Sequence, residues 1–244
     1  MTERLDGRTV LVTGANGGLG EEFVRQALDR GASKVYAAAR SPRTWGDDRV
    51  VSLALDITDA ASVDAAAKTA SDVDLLVNNA GIAPEGDASV VAWDDDLASR
   101  IFETNFFGTL RVTRSFAPVL AANGGGALLN VLSLAAWLPL PTIYAASKAA
   151  AWSATNATRG ELAAQQTSVT GLIVGMVDTP MSARWDVPKV SAASVVAQGL
   201  DGVISGAFEV YADDDSRDVK SRLAASSEEL NAYLAERLEG FVPG

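Results

Sequence analysis

Residues 9–20 read TVLVTGANGGLG, and a helical pattern of apolar residues follows over residues 21–30. The β-branched apolar run at the start predicts a strand, and the pattern after it predicts a helix. Between them Gly14, Gly18 and Gly20 form the spacing G-x-x-x-G-x-G, which lets a backbone turn sharply and approach a diphosphate closely. Free N–H groups at a helix N-terminus favour the negative charge of such a group. The segment therefore indicates a nucleotide-binding turn, although a purely structural turn can carry the same pattern.

The composition limits the chemistry that is open to this chain. Its 244 residues are enough for one large domain with a buried core. Its formal net charge of −11 argues against nucleic acid or an anionic membrane as a partner, because both are bound through basic patches. It has no cysteine and no histidine, which excludes disulfides, thiolate nucleophiles, zinc sites built from these residues and Ser-His-Asp catalysis. We therefore predict no metal site, and proton transfer near neutral pH must use a carboxylate, a tyrosine, a lysine or a water that they position.

The chain shows no sign of a targeting or membrane segment. The N-terminus is charged and polar and lacks the apolar core of a signal peptide, and no apolar run approaches the length of a membrane span. We therefore expect a cytoplasmic protein.

Apolar runs and helical patterns alternate along the sequence. Strands are predicted at 9–13, 34–39, 50–55, 73–77, 128–132 and 168–174, with a short last strand within 203–211. Long helices are predicted at about 97–120 and 142–165, and a charged helical tail at about 213–240, with an apolar stripe of Leu223, Leu230, Tyr233, Leu234 and Leu238. The alternation predicts an α/β fold, a Rossmann-type doubly wound parallel sheet of about seven strands with helices on both faces, formed by residues 1–244 as a single domain.

Right-handed crossovers between parallel strands place every strand's carboxyl end at the same edge of the sheet. The polar and glycine residues expected to meet at this edge are Gly14, Arg40, Asp56, Asn79, Ser133 and Gly175.

Two strand ends carry residues suited to other parts of a dinucleotide. In dinucleotide-binding folds an acidic residue about 20 positions past the glycines binds the ribose 2′-hydroxyl, whereas arginine there accommodates a 2′-phosphate. Ala39 and Arg40 occupy this position, which favours NADP(H) over NAD(H), with an ordinary solvated loop of Arg40 and Arg43 as the alternative. Asp56 suits a contact with the adenine amino group of a dinucleotide. Alternatively, it has only a capping role at the start of the next helix, for which Thr58 or Asp59 is a plausible N-cap residue.

Tyr144 and Lys148 lie four residues apart in a predicted helix, so their side chains leave the same face about one turn from each other. An ammonium about 5 Å from a phenolate stabilises it by roughly 3 kcal/mol at an effective dielectric constant near 20. The phenol could then give a proton to a carbonyl oxygen and take one from an alcohol. The same spacing also occurs by chance on helices with ordinary packing. Asn105, which interrupts an apolar helical face, is either a satisfied core group or part of a site.

Taken together, these segments resemble the short-chain dehydrogenase/reductase family over about residues 7–181. The motifs that carry the resemblance are Thr13-Gly14-x-x-x-Gly18-x-Gly20, Asn78-Asn79-Ala80-Gly81, Asn105, Ser133, Tyr144-x-x-x-Lys148 and Gly175-x-Val177-x-Thr179. The resemblance implies that Tyr144 is the catalytic acid/base and that Lys148 assists it and holds the nicotinamide ribose. It also implies that Ser133 hydrogen-bonds the substrate oxygen and that Asn105 positions a water in a proton relay to Lys148.

The cofactor contacts combine those implied by the resemblance with the arginine that follows the second strand. They are Gly14, Asn16, Gly17, Gly18, Leu19, Gly20, Arg40, Asp56, Ile57, Asn79, Ala80, Gly81, Tyr144, Lys148, Val177 and Thr179.

The sequence departs from the family pattern at two positions. Ser133 and Tyr144 are a couple of residues closer together than the family leads us to expect, so the loop between them must be short or the serine displaced. The family usually has a proline before Gly175, and this chain has Val174 there. The resemblance therefore predicts less about how this loop holds the nicotinamide than the other motifs predict about their contacts.

Residues 176–190 resemble the mobile flap that covers the substrate in this family. With Trp137, Leu138 and Leu140 they indicate an apolar pocket for a ketone, an aldehyde or a secondary alcohol, although each aromatic residue could equally cover the core. The predicted substrate contacts are Ser133, Trp137, Met181 and Trp185. The resemblance further implies a homodimer or homotetramer built through the helices after strands four and five.

These expectations combine into one function with two alternatives. We expect an NADP(H)-dependent oxidoreductase that prefers NADPH to NADH and reversibly reduces a hydrophobic ketone or aldehyde, with Tyr144 as acid/base. A non-catalytic NADP(H)-binding sensor or scaffold is the first alternative, which the short loop between Ser133 and Tyr144 makes conceivable. A sugar-nucleotide epimerase or dehydratase is the second, but glycine spacing and chain length both argue against it.

Overall fold

The computed structural model describes residues 5–84 and 89–238. The strands in these ranges are β1 (Thr9–Thr13), β2 (Lys34–Ala39), β3 (Val50–Ala54), β4 (Leu75–Asn78), β5 (Ala127–Val131), β6 (Ser168–Ile173), β7 (Val177–Asp178), β8 (Val190–Ser191) and β9 (Glu209–Tyr211). The helices are α1 (Gly18–Asp29), α2 (Ala60–Thr69), α3 (Asp95–Phe102), α4 (Thr109–Ala122), α5 (Ile143–Leu162), α6 (Ala192–Ser205), α7 (Asp214–Arg222) and α8 (Ser227–Leu238).

The main sheet in the described ranges has seven parallel strands in the order β3-β2-β1-β4-β5-β6-β9. The chain builds outward from β1 to β3 and then crosses back to pair β4 with the free side of β1. A reversal of strand order leaves a crevice at the carboxyl ends of the two strands where it occurs, which are β1 and β4 here. The predicted fold class, a doubly wound parallel sheet, is confirmed.

Helices cover both faces of this sheet, and apolar side chains fill the two layers between. On one face α1 and α6 bury Phe23 and Leu200 against the central strands. On the other face α2 and α4 bury Val63 and Phe116. Because both faces are covered, the central strands are apolar on both sides, as the continuous run in β1 predicts.

One predicted helix proves to be interrupted. The range 97–120 contains the end of α3, a π-helical turn over Glu103–Gly108 and most of α4. Gly108 lies against Ile57, since a Cβ atom on it would be 2.9 Å from the Ile57 side chain. This π-helical turn contains Asn105, the polar residue that interrupts the apolar face of the predicted helix. Turns of this kind are common at functional sites.

Other predicted boundaries shift by one or two residues at strand ends, where terminal residues belong to the loops. Within residues 203–211 only β9 is a strand. Val203 belongs to the end of helix α6, which was not predicted from the sequence, and its side chain packs in the core. Leu223, Leu230 and Tyr233 of the predicted tail stripe pack on a third apolar cluster. The side chains of Leu234 and Leu238 and residues 239–240 of the predicted tail lie outside the described residues. Among the helices of the described ranges, none is long and apolar enough to cross a membrane.

Candidate active site

The carboxyl ends of the strands open into a cleft of about 2030 Å³. Loops from several strands and part of helix α7 line it, and the segment that begins at Met176 forms one wall. It brings together all of the strand-end residues that were expected to meet, namely Gly14, Arg40, Asp56, Asn79, Ser133 and Gly175.

The glycine turn presents the N-terminus of α1 to this cleft. Gly17 is the N-cap residue of α1 and supplies no side chain to accept hydrogen bonds from the first amides of the helix. Gly14 and Gly18 have φ angles of 67° and 55°, which side chains rarely allow. A Cβ atom on Gly17 would meet nothing within 4 Å, so the space in front of the helix is open. A cradle of amide donors at a helix N-terminus fits a diphosphate.

Gly20 has a different role from the one predicted. It does not line the cleft; instead, a Cβ atom on it would lie 2.1 Å from the carbonyl oxygen of Gly14. The absent side chain therefore lets α1 pack closely on the end of β1, and Gly20 is corrected from a cofactor contact to a packing residue.

Two residues next to the turn fix its surroundings. The Asn16 side chain donates a 2.7 Å hydrogen bond to the carbonyl of Ser41, which joins the turn to the loop after β2. In that loop Arg40 is exposed and lines the cleft. Arg43 does not line it, because Arg43 pairs with Glu21 at 2.6 Å and stacks on the Trp45 ring at 4.1 Å.

Asp56 lines the cleft but also makes local contacts. It accepts hydrogen bonds from the hydroxyl of Thr58 at 2.7 Å and from the amide of Thr58 at 2.9 Å. These bonds, with the charges of Arg40 and Arg111, hold the pKa of Asp56 below its ordinary value. Asp59, not Thr58, is the N-cap of α2.

The ends of β1 and β4 are joined by hydrogen bonds around Thr13. The Thr13 hydroxyl accepts from the backbone amides of Asn79 and Ala80, both at 3.0 Å. The Asn79 side chain donates to the Thr13 carbonyl at 2.9 Å. Asn79, Ala80 and Gly81 all line the cleft. Asn78 points instead into the core, where it donates to Thr113 and Asn130.

Tyr144 and Lys148 stand in the first turns of α5, whose N-cap is Thr142. Both line the cleft, and the Lys148 ammonium lies 5.8 Å from the centre of the Tyr144 ring. The ammonium is buried and donates to the carbonyl of Val131 at 3.3 Å. The loop after β4 passes close to the ammonium, since a Cβ atom on Gly81 would be in ordinary contact with Nζ at 3.7 Å. The structure thus holds an ammonium beside a phenol at the wall of the cleft.

Asn105 does not line the cleft and is only 2% exposed. Its side chain accepts from the amide of Ile82 at 2.8 Å and donates to the carbonyl of Ile82 at 2.9 Å and the hydroxyl of Ser147 at 3.2 Å. It is therefore a satisfied core group that ties the loop after β4 to α5. A Cβ atom on Gly81 would lie 3.3 Å from Oδ1 of Asn105 and 3.7 Å from Nζ of Lys148, so these two side chains meet on either side of Gly81.

Ser133 lines the cleft after β5 and caps the short 3₁₀ turn Leu134–Ala136, accepting from the amide of Ala135 at 3.1 Å. The short loop between Ser133 and Tyr144 is held at its far end. Ser89 forms an isolated antiparallel bridge with Thr142, and the amide of Val90 donates to the carbonyl of Pro141 at 3.3 Å.

Trp137, a predicted substrate contact, faces away from the cleft. It is 8% exposed and packs edge-on against Trp152 at 5.8 Å and against Tyr211 at 6.1 Å. The Lys220 ammonium lies 5.0 Å from its ring. Helix α7, which is distant in sequence, supplies the cation that these aromatic rings surround, and Trp137 belongs to this cluster and not to the lining of the cleft. The cleft is instead lined by Leu138 and Leu140.

The other predicted substrate contacts, Met181 and Trp185, do line the cleft. They belong to a segment whose ends are tied together by the pairing of β7 with β8. Arg184 stacks on Trp185 at 4.0 Å and donates to the carbonyl of Pro84 across the cleft. The sequence analysis did not identify Arg184, since nothing local indicates a partner 100 residues away.

The contacts of Asp213 and helix α7 with the cleft were also missed. The amide of Gly175 donates to the Asp213 carboxylate at 2.7 Å, and α7 contributes Asp215 and Val219 to the cleft. The helical tail predicted at about 213–240 contains α7, but nothing in its sequence indicates the contact with Gly175.

Comparison with known proteins gives consistent results. The family model for short chain dehydrogenases matches residues 8–189. A crystal structure of a short chain dehydrogenase from Burkholderia cenocepacia in complex with NADP superposes with a TM-score of 0.88 at 39% identity, covering 95% of this chain and 99% of that one.

Curated relatives are more distant. The dehydrogenase/reductase SDR family protein 7-like of Anopheles gambiae is 30% identical over 73% of this chain and 62% of its own length. The galactitol 2-dehydrogenase (L-tagatose-forming) of Cereibacter sphaeroides is 33% identical over 74% of this chain and 76% of its own length. The family match covers the strands, the glycine turn and the helix that carries Tyr144 and Lys148, and the chain belongs to the short-chain dehydrogenase/reductase family of oxidoreductases.

Proposed function

We propose that this protein is an NADP(H)-dependent oxidoreductase that reversibly reduces a hydrophobic ketone or aldehyde to an alcohol, with Tyr144 as acid/base. The observation that carries the proposal is the meeting of the Tyr144–Lys148 pair and the open α1 N-terminus in one cleft. Bound NADPH would supply the hydride.

The cofactor would lie along the sheet edge. The turn from Gly14 to Leu19 offers amides to the diphosphate, and Asp56 and Ile57 flank the place of the adenine. Of the two arginines after β2, Arg40 lines the cleft while Arg43 is engaged by Glu21, so Arg40 would bind the 2′-phosphate. The NADP complex of the Burkholderia relative supports this choice, and an Arg40 contact would favour NADPH over NADH.

Proton transfer would be carried by residues of α5. The buried Lys148 ammonium, held by the Val131 carbonyl, lies 5.8 Å from the centre of the Tyr144 ring and would place positive charge beside the phenol during proton transfer. Tyr144 would give its proton to the carbonyl oxygen of the substrate during reduction and recover it from the alcohol during oxidation. Ser133 would hydrogen-bond the same oxygen.

Asn105 would serve this relay through its backbone. Its side chain is occupied by Ile82 and Ser147, so only the carbonyl in the π-helical turn, which already accepts from Thr109, is left to hold a water near Lys148.

The apolar wall of the cleft supports a hydrophobic substrate. Leu138, Leu140, Met181 and Trp185 line the same cleft as Tyr144, and Arg184, a charged lining residue, is exposed. Apolar walls with a few placed polar groups are typical of sites for small hydrophobic ligands.

The test measures oxidation of NADPH and, in parallel, of NADH with a panel of hydrophobic ketones and aldehydes. Galactitol in the oxidative direction serves as the polar comparison. We expect turnover that prefers NADPH and the apolar carbonyl compounds. Binding of NADPH without turnover of any compound would instead favour the sensor or scaffold, and absence of NADPH binding would refute the proposal.

A further inference from the structure

We propose that Asp213 is a positioning residue that holds the segment Gly175–Thr179, on the nicotinamide side of the cleft, against helix α7. The proposal rests on the proposed function, because it takes Val177 and Thr179, two of the cofactor contacts that the resemblance implies, to lie beside the nicotinamide of bound NADPH. Asp213 would touch neither cofactor nor substrate and would act through the peptide group that precedes Gly175.

This peptide group is hydrogen-bonded on both sides. Its oxygen, the carbonyl of Val174, accepts from the amide of Leu134 at 2.9 Å. Its N–H, the amide of Gly175, donates to Oδ2 of Asp213 at 2.7 Å. Leu134 directly follows Ser133, so one peptide plane joins the serine loop to Asp213. A peptide group fixed at both polar atoms cannot rotate without breaking a hydrogen bond.

The second attachment of Asp213 is to helix α7. Its carboxylate accepts from the amide of Ser216 at 2.7 Å and from the hydroxyl of Ser216 at 3.0 Å, and it is the N-cap residue of α7. Asp213 is 8% exposed and Ser216 is fully buried. One carboxylate therefore serves three donors that belong to two separate parts of the chain.

An ionised carboxylate is the group that suits these three donors. Both of its oxygens accept, whereas an amide offers one acceptor and one donor. Asparagine at position 213 could take two orientations. In one its NH₂ group faces the N–H of Gly175 and that hydrogen bond is lost, and in the other the NH₂ group faces the N–H of Ser216 and the bond to that amide is lost.

The first experiment compares Asp213→Asn with the matched control Asp214→Asn. Asp214 is the neighbouring residue, has a 99% exposed side chain and pairs only locally with Arg217, so the control makes the same charge change. Binding of NADPH and of 2′,5′-ADP, which has no nicotinamide, is titrated for each protein.

We expect Asp213→Asn to weaken NADPH binding about tenfold, the size typical of losing a hydrogen bond to a charged group, and to leave 2′,5′-ADP binding within about twofold. Asp214→Asn should bind both ligands as the parent does. If Asp213→Asn binds NADPH like the parent, or loses both ligands equally, the proposal is overturned. Failure of the parent to bind NADPH would instead overturn the proposed function and this inference with it.

A second variant and a second readout guard against a folding defect. Asp213→Ser keeps a good N-cap for α7 but is too short to reach Gly175, so it should show the same selective loss of NADPH. Hydrogen exchange of the Gly175 amide without cofactor should become at least about tenfold faster in Asp213→Ser, because the serine hydroxyl does not reach that amide. Unchanged exchange would overturn the proposal even if NADPH binding fell.

Discussion

Under the proposed function, single side chains assign proton transfer to one part of the cleft and cofactor binding to another. Lys148 is held beside Tyr144 by the carbonyl of Val131, and Asn105 fixes the neighbouring loop through both backbone atoms of Ile82. Arg40 stands at the other end of the cleft. Each residue can therefore be tested separately, because changes at one end leave the contacts at the other end in place.

Tyr144→Phe should lower turnover by at least about 100-fold, since the hydroxyl that would transfer the proton is removed. NADPH affinity should stay within about twofold, because the ring and its packing remain. Steady-state kinetics and a binding titration measure the two effects. Tyr36→Phe, which removes a hydroxyl bonded to Asp72 away from the cleft, is the matched control and should leave turnover unchanged. Turnover of Tyr144→Phe within a factor of two of the parent would exclude Tyr144 as the acid/base.

Arg40→Ala should raise the Kd for NADPH about tenfold or more while changing that for NADH little, because only NADPH carries the 2′-phosphate that the guanidinium would bind. Fluorescence titration with each cofactor gives the ratio directly. Arg49→Ala is the control, since Arg49 is exposed, pairs with Asp47 and does not line the cleft. Equal losses for the two cofactors would mean that Arg40 does not recognise the 2′-phosphate.

Two helical elements approach neighbouring segments of the chain at a glycine, so closely that a larger residue there would prevent the contact. Helix α1 reaches the end of β1 at Gly20, and the π-helical turn before α4 reaches the loop after β3 at Gly108. Both contacts bring a helix close to the edge of the sheet where the cleft opens. The helix N-terminus and the buried Asn105 are positioned by this close packing.

Gly20→Ala should lower the free energy of unfolding by about 2 kcal/mol or more, because the added methyl group would lie 2.1 Å from the Gly14 carbonyl and the helix must move. Gly160→Ala is the matched control: Gly160 is a helical glycine of α5 with open space around its Cα, so alanine there should stabilise by about 0.5–1 kcal/mol. Urea unfolding distinguishes the two. Equal effects of the two substitutions would contradict the packing role of Gly20.

The whole molecule brings the C-terminal part of the chain back to the cleft through α7. This helix is attached by Asp213 at its start and by Lys220 further along, whose ammonium lies over Trp137, Trp152 and Tyr211 and pairs with Glu209 at 2.6 Å. Burial alone raises the pKa of Glu209, but hydrogen bonds from Lys220, Tyr211 and Trp152 outweigh it and hold the pKa below its ordinary value. The ionised carboxylate therefore contributes to folding.

Because the folded pKa of Glu209 is lowered, its contribution to stability is present above the ordinary value of 4.5 and is lost as pH falls through the folded value. Glu209→Gln should reduce the free energy of unfolding at pH 7 by about 2 kcal/mol, because Lys220 then lacks its counter-charge. This difference from the parent should shrink below the ordinary pKa. Urea unfolding at several pH values measures it, with the exposed Glu161→Gln as control. A difference that is constant with pH would contradict the charge pairing.

The sequence by itself determined the features that depend on spacing along the chain. Alternating apolar runs predict the strands and helices, a four-residue separation puts Tyr144 and Lys148 on one helix face, and right-handed crossovers bring the strand ends to one edge. Local backbone geometry sets each of these, so residue types and intervals are enough. The fold class and the strand-end residues that meet at the cleft were predictable for this reason, whereas the family was recognised from the resemblance of several motifs together.

The tertiary structure alone decided which way loop and core side chains face and what they contact. Trp137 packs under the Lys220 ammonium, and Gly20 packs against the carbonyl of Gly14 and does not line the cleft. Asn105 is buried in a π-helical turn, and Asp213 joins α7 to Gly175. Each outcome depends on a partner that is distant in sequence. Packing and hydrogen bonding between such partners carry no local signal, because their energies arise only once the sheet and helices have brought the groups together.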